Sequence, residues 1–384
     1  MNVVITAAGM VTSLGLDLAT SCAGARAGLT RAKQLGVLKV RNSEDGELQD
    51  VVGHAVEGLT GFEGQGRLLA LASATMRDLF RLQDKGSINW RRCGLFMGLP
   101  DPMRTSKGIE LIQDEALKEL KQKQKDDAGV ETPVEVTEAD EAFLKRLLGV
   151  ASLPLEPSMC VIIRGEHEAF VTAVRSAISA LEAGRIDKAI VGSVDSLIDH
   201  DVLIWLYQTG RLKCGDMPVG LQPGEAAAFM VLETPGKASG KSVDLSTHIT
   251  YVSSANQETS LLSGHSADGT GLSQLLTDLG KSYLKFGTEV WILTDQNGEP
   301  YRAYEWGLAQ TRVSATYPAV ITHQVAYPAL SFGDTGAAAG AVGTCMAMSA
   351  LERRYATAPA AWVVTSSSDG RHGAVGLMSA SLMK

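Results

Sequence analysis

Apolar residues recur at intervals of three and four between Ala169 and Leu181. Ala169, Phe170, Ala173, Val174, Ala177, Ile178 and Leu181 share one face, which Glu166, Glu168, Arg175 and Glu182 mostly avoid. The pattern predicts a helix, and Gly184 ends it. The flanking segments, MCVIIRG from Met159 and KAIVGSVDS from Lys188, are continuous apolar runs rather than alternations, so both are expected to be strands buried on both faces. A returning segment, PGEAAAFMVLE from Pro223 to Glu233, closes this unit, around which the rest of the chain is organised.

Upstream, Asn2 to Ala7 reads as the first strand, and a turn over Gly9 to Gly15 leads to a helix near Asp17 to Arg26. Lys39 to Gly64 is polar and irregular, a surface stretch. Gly66 to Leu82 carries Leu68, Leu69, Ala72, Met76, Leu79 and Phe80 at helical spacing, and CGLFM from Cys93 is a short buried strand. Between Arg104 and Pro157, Lys, Glu, Gln and Asp dominate. There Ile109, Ile112, Ala116 and Leu120 predict one amphipathic helix, and Thr137 with Asp140 and Glu141 caps a second one closed by Gly149. This reads as an inserted helical subdomain, either a solvated cover or a lid or docking surface.

After Glu233 the segment TPGKASGKS is a linker, and the order recurs. Strands are expected at His248 to Ser253, Glu289 to Thr294 and Ala319 to Val325, with a helix near Leu272 to Phe286. A small-residue helix follows in GDTGAAAGAVGTCMAMSALERRY, whose Gly336, Gly340 and Gly343 permit close backbone approach, and then two strands, AWVVTSS and GAVGLMSA. The expected organisation is two similar α/β halves, 1–235 and 245–384, with the insertion at about 104–157 in the first. His167 and Asp334, 167 positions apart, open the corresponding helices of the two copies.

With 384 residues, 45% of them hydrophobic and 20% charged, the chain has the balance of a folded protein rather than a disordered one. A net charge of −8 and the lack of clustered Lys and Arg argue against nucleic acid as a partner. The five cysteines are odd in number and widely spaced, which suits reduced cytoplasmic thiols better than a disulfide framework or a zinc site. MNVVITAAGMVTSLG lacks a basic start and its apolar run is interrupted, so neither a signal peptide nor a membrane span is expected. The seven histidines have no ligand spacing, so no metal is assigned. No dinucleotide, nucleotide or hydrolase motif is present, and Asp334 at the head of the glycine-rich FGDTGAAAG would repel a phosphate. No cofactor is expected.

Four segments in order resemble the β-ketoacyl synthases of the thiolase superfamily. VVITAAGMVTSLG resembles their opening strand and turn, AGRIDKAIVGSVDSL the helix end and strand after the nucleophile, PGEAAAFMVLE their glycine-glutamate-glycine strand, and FGDTGAAAGAVG the segment around the second catalytic histidine. The resemblance implies an α/β thiolase-like fold of layered sheets and helices. It also implies a homodimer, or a heterodimer with a related chain, that pairs through the strand before the nucleophile turn. The implied chemistry is condensation of acyl thioesters by a Cys and two His.

Those residues are replaced. The position implied for the nucleophile falls on His167, that of the first histidine near Asp295 and that of the second on Asp334. Ala329 and Leu330 stand where the family's Lys would be, SSSDGRHG replaces the glycine-rich gatekeeper, and Cys160 lies seven residues before His167 inside an apolar strand. An ionised aspartate about 4 Å from a developing oxyanion would cost about 4 kcal/mol at an effective dielectric of about 20. That is roughly a thousandfold in rate. The remaining catalytic constellation is His167 as a general base oriented by Asp295 or Asp334. Otherwise His167 is a partly exposed turn residue and Asp334 an N-cap.

DQNGEPYRAYEWG, from Asp295 to Gly307, opens with a tight turn at Asn297-Gly298 and then crowds Tyr301, Arg302, Tyr304 and Trp306 together, the residue types of an interface anchor. Alternatively the aromatics pack on the first half and Arg302 pairs with Glu305. The reading overall is a catalytically degenerate ketosynthase-like protein that binds another protein, as an adaptor for secretion effectors or as a synthase partner. The alternative is an acyltransferase of the 3-oxoacyl-ACP synthase type that acts on acyl thioesters with altered residues.

Overall fold

The structure is a computed structural model and describes residues 2–42, 46–81, 85–104, 137–238, 247–263, 265–283, 289–317 and 324–380. In the first half, β1 (Val3–Thr12) leads to α1 (Leu18–Arg26), capped by Asp17, which accepts from the Thr20 amide at 2.8 Å. A hairpin, β2 (Lys33–Arg41) and β3 (Leu48–Gly53), precedes α2 (Gly64–Leu79), β4 (Cys93–Pro100) and α3 (Glu138–Val150). Then come β5 (Cys160–Gly165), α4 (Ala169–Glu182), β6 (Lys188–Ser196), α5 (His200–Gln208) and β7 (Glu225–Glu233). The second half holds β8 (Thr247–Asn256), α6 (Thr270–Tyr283), β9 (Val290–Thr294), α7 (Pro300–Ser314) and β10 (Val325–Ala326). It ends with α8 (Ala329–Phe332), α9 (Ala339–Glu352), β11 (Ala360–Ser366) and β12 (Arg371–Ser379).

Ten strands form one sheet in the order β10-β9-β11-β12-β8-β1-β7-β6-β4-β5. From the middle outward, the first half runs β1-β7-β6-β4-β5 and the second β8-β12-β11-β9-β10, with β4 and β9 parallel to both neighbours in each case. The repeat read in the sequence is therefore a repeat of topology. The halves join where β1 and β8 pair antiparallel over three residues, Val3 with Ile249, Val4 with His248 and Ile5 with Thr247.

α4 and α9 form the buried centre. α4 packs on β4, β5 and β6 of its own half and also on β8, β12 and α9 of the other, so the sheet closes around the helix pair. The approach is close because α9 is built from small residues: a Cβ on Gly340 would sit 3.0 Å from the Phe170 ring, and one on Gly343 2.9 Å from Val363. α2 and α3 cover the outer face of the first half, and α6 and α7 that of the second.

Two expectations need correction. Lys39 to Gly64 contains much of the β2–β3 hairpin, whose alternation is faint because only Val40, Val51 and Gly53 of the two strands are buried. α3 begins as expected, with a capping box between Thr137 and Asp140, but it is no solvated cover and ends at Val150 rather than Gly149. Phe143, Leu144, Leu147 and Leu148 are buried in the core beneath α2, and buried Asp140 accepts from Arg164. The helix expected around Ile109 to Leu120 lies outside the described residues, as does most of the strand expected at Ala319 to Val325. All five cysteines are free. Among the described residues no helix is long and apolar enough to cross a membrane.

Candidate functional site

His167, Asp295 and Asp334, distant in sequence, meet in one buried cluster at the starts of the two central helices. His167 follows β5 in the turn that opens α4, and only 4% of it is exposed, so it is not the partly exposed turn residue considered above. Its Nε2 lies 2.9 Å from Asp334 Oδ1 and its Nδ1 3.2 Å from Arg302 Nη2. Asp334 sits just before α9. The amide of Gly336 donates to its Oδ1 at 2.7 Å and Asn297 Nδ2 to its Oδ2 at 2.5 Å, so it fixes the turn that leads into α9 and holds the imidazole at once, and it is not the N-cap considered above, since Ala338 directly precedes α9. Gly336 has φ of +52°, and a Cβ there would collide with the Asp195 carboxylate behind it.

Arg302, in the first turn of α7, has no exposed surface. It donates to Asp295 Oδ2 at 3.0 Å, to the Ser366 carbonyl at 2.6 Å, and to Glu299 Oε2 at 3.2 Å, besides facing His167. Asp295, at the end of β9, also accepts from the Ser366 amide at 2.7 Å. Glu299 accepts from Arg211 Nε at 2.6 Å and from Asn297 Nδ2 at 2.7 Å. Next to His167, Glu166 accepts from the amide and hydroxyl of Ser368, and Glu168 pairs with Arg371 at 2.5 Å. Beyond Gly336, Arg104 makes a two-pronged pair with Asp195 at 2.5 and 2.6 Å.

Charge balance decides the protonation states. Burial opposes the imidazolium of His167, as does Arg302, but the charge and hydrogen bond of Asp334 together with the charge of Asp295 outweigh them and raise the pKa above its ordinary value. Burial likewise opposes ionisation of Asp334, and His167, Arg302 and Asn297 overcome it, holding the carboxyl far below the usual range. With the ring neutral, Nδ1 accepts from Arg302 and Nε2–H donates to Asp334. With it protonated, Nδ1–H faces the guanidinium. In neither form is a lone pair free to take a substrate proton.

The space left over is small. A cavity of about 20 Å³ bordered by His167, Thr294, Asp295 and Asp334 has room for about one water. No thiol borders it. Cys160 is on β5, where burial pushes its pKa up to about 12, so it is a neutral structural thiol at neutral pH. Among the described residues no cluster of His, Cys, Asp or Glu could hold a metal ion.

No protein-family model matches the sequence, and no curated protein does either. Solved structures match over nearly the whole chain. The ishigamide ketosynthase/chain length factor is similar at 19% identity and a TM-score of 0.66, covering 98% of this chain and 99% of that one. A type II ketosynthase bound to hexaketide, in complex with its acyl-carrier protein (AntDE:AntF), is similar at 15% identity and a TM-score of 0.71, with the same coverage. The ketosynthase from module 6 of the Bacillus subtilis bacillaene synthase is similar at 12% identity and a TM-score of 0.66, covering 99% of this chain and 72% of that one.

The fold is the ketosynthase fold. On this ketosynthase scaffold the interface expected at Tyr301, Arg302, Tyr304 and Trp306 does not form as one surface patch. Arg302 and Trp306 are buried, because the segment is a helix whose inward face carries Arg302, Glu305, Trp306, Ala309 and Val313. Tyr301, half-buried, stacks near Arg302, 5.5 Å from ring centroid to guanidinium, and of the four residues Tyr304, 57% exposed, is the one that stands out into solvent. Glu305 does not pair with Arg302. It accepts from Gln257 Nε2 at 2.5 Å, and burial lifts its pKa to about 7. Sequence reasoning missed Asn297, Glu299, Arg211 and Ser366 as members of the cluster. The inward spacing of Arg302 with Trp306 and Ala309 was the available signal for Arg302; the others are joined only by tertiary contacts.

Proposed function

We propose that this ketosynthase-fold chain does not condense acyl thioesters and acts by binding, as the non-condensing partner of a second chain of the same fold. The observation that carries this reading is Arg302. Its guanidinium fills the interior between His167, Asp295 and Glu299, which supports the reading that an interlocked ion-pair network stands where the resemblance would put the attack on a thioester carbonyl. The positions that the resemblance assigns to the nucleophile and the two histidines are His167, Asp295 and Asp334; His167 touches Asp334, and Arg302 joins Asp295 to His167, which fits that assignment. A tetrahedral intermediate develops negative charge, and two carboxylates beside it would oppose the reaction.

A partner of the same fold is supported by two observations. The similar structures include a ketosynthase/chain length factor, and β5 forms one edge of the sheet with Val161 of its strand 37% exposed. An unpaired strand edge is a ready template for another chain. The test joins two measurements on the purified chain. Incubation with acyl and malonyl thioesters, on carrier protein and on coenzyme A, is expected to leave the intact mass unchanged and to yield no β-ketoacyl product. Acylation at any residue, Cys160 included, would restore the enzyme reading. Co-expression with ketosynthase-fold chains of the native host is expected to yield a stoichiometric heterodimer; a chain that stays alone or pairs only with itself would remove the heterodimer.

A further inference from the structure

A second cavity, about 320 Å³, opens between α1 and the C-terminal end of α9 and shares no residue with the ion-pair cluster. That volume is at the lower end of pockets that hold small organic ligands. Ala19 and Ala23 of α1 form a smooth wall, and Cys22 and Ser349 line it further. Cys22 is buried, and burial pushes its thiol up to about 11, so it presents a neutral surface rather than a nucleophile. Arg26 and Arg353 stand on either helix, with Tyr355 beside them.

Arg26, Arg353 and Ala23 are exposed, so the cavity is an open surface groove with the two arginines on its rim. The Arg26 guanidinium lies 4.4 Å from the centroid of the Tyr355 ring, which fixes its plane while leaving N–H groups at its edge. Tyr355 reaches that place because Arg354, with φ of +59°, turns the chain back after α9, and the Tyr355 amide donates to the Ala350 carbonyl at 3.0 Å. Among the described residues no carboxylate forms an ion pair with Arg26 or Arg353, although the chain has 43 acidic residues against 35 basic ones. An arginine near a helix C-terminus complements the macrodipole. That accounts for each residue separately, but not for the two guanidinium groups meeting at one groove.

We propose that this cavity binds a small organic anion, with a carboxylate or phosphate head held by Arg26 and Arg353 and a short apolar body against Ala19, Ala23 and Cys22. The inference is independent of the proposed loss of condensation, since it uses no residue of that cluster. Calorimetric titration of the full chain with hexanoate and with hexyl phosphate tests it, with 1-hexanol supplying the body alone and inorganic phosphate the head alone. At least one alkyl anion is expected to bind about tenfold more tightly than either control, and Arg353→Gln to weaken it by about tenfold, the effect of one charge-assisted hydrogen bond. Ala23→Phe fills the cavity from an exposed helix position and is expected to abolish binding, with the melting temperature of both variants unchanged. Alkyl anions that bind no better than the controls would overturn the proposal, as would binding that survives both substitutions.

Discussion

Arg302 joins two carboxylates, a carbonyl and an imidazole with a single side chain, and none of it reaches water. Removing one member of a buried ionic network leaves the others uncompensated, which costs more than the network contributes when intact. Arg302→Met is therefore expected to lower unfolding stability by about 3–5 kcal/mol in urea titration; a change below 1 kcal/mol, taken as roughly the size of an exposed pair, would mean that water enters the cluster. His167 adds a pH dependence. Asp334 raises the imidazole pKa in the folded chain, so the folded state binds that proton more tightly than the unfolded one. The stabilisation is complete below the unfolded value of about 6.5 and is lost as pH rises through the folded value. Compared with His167→Gln, the wild-type advantage in melting temperature should shrink as pH rises above about 6.5. An advantage that grows with pH would have the wrong sign.

Helix α7 shows at the level of an element what the sequence could and could not disclose. Its start was legible as a turn at Asn297-Gly298, but the clustered Tyr, Arg and Trp read as a surface anchor because composition carries no direction. Direction lay in the spacing of Arg302, Trp306, Ala309 and Val313, a buried stripe headed by a charge that hydropathy alone treats as solvated. The strands and central helices were legible because their apolar runs are long. The β2–β3 ribbon was not, since few of its residues are buried, and α3 was underrated because a charge-rich neighbourhood hid Phe143, Leu144 and Leu147. The two aromatics of α7 should accordingly behave in opposite ways. Trp306→Ala is expected to destabilise by about 3–5 kcal/mol, whereas Tyr304→Ala should stay within about 0.5 kcal/mol; equal effects in thermal melts would contradict the observed burial. Deleting residues 106–150 is expected to unfold the first half, because it removes Phe143, Leu144, Leu147 and Leu148 of α3 from the core.

For the whole molecule, the outer edge of β5 is where pairing is expected. Val161→Lys places a charge on that edge, a common device against strand addition. Light scattering should find the wild-type chain, co-expressed with its partner, in a complex of about twice its own mass, and the variant as a folded monomer. A variant that still pairs would move the interface elsewhere.

The matching strand orders of the two halves also set what their meeting point can hold. A single half that once paired with its own copy would have set identical residues against each other across the symmetry axis, imidazole against imidazole or carboxylate against carboxylate. A complementary couple such as His167 and Asp334, 2.9 Å apart at corresponding helix starts, requires the two copies to differ. The couple therefore marks a chemical difference between two halves of one topology, which a single chain carrying both can hold. Returning to like against like tests this: His167→Asp, which sets two carboxylates together, should lose more stability than His167→Gln. An equal loss would show that the molecule no longer depends on the difference between its halves.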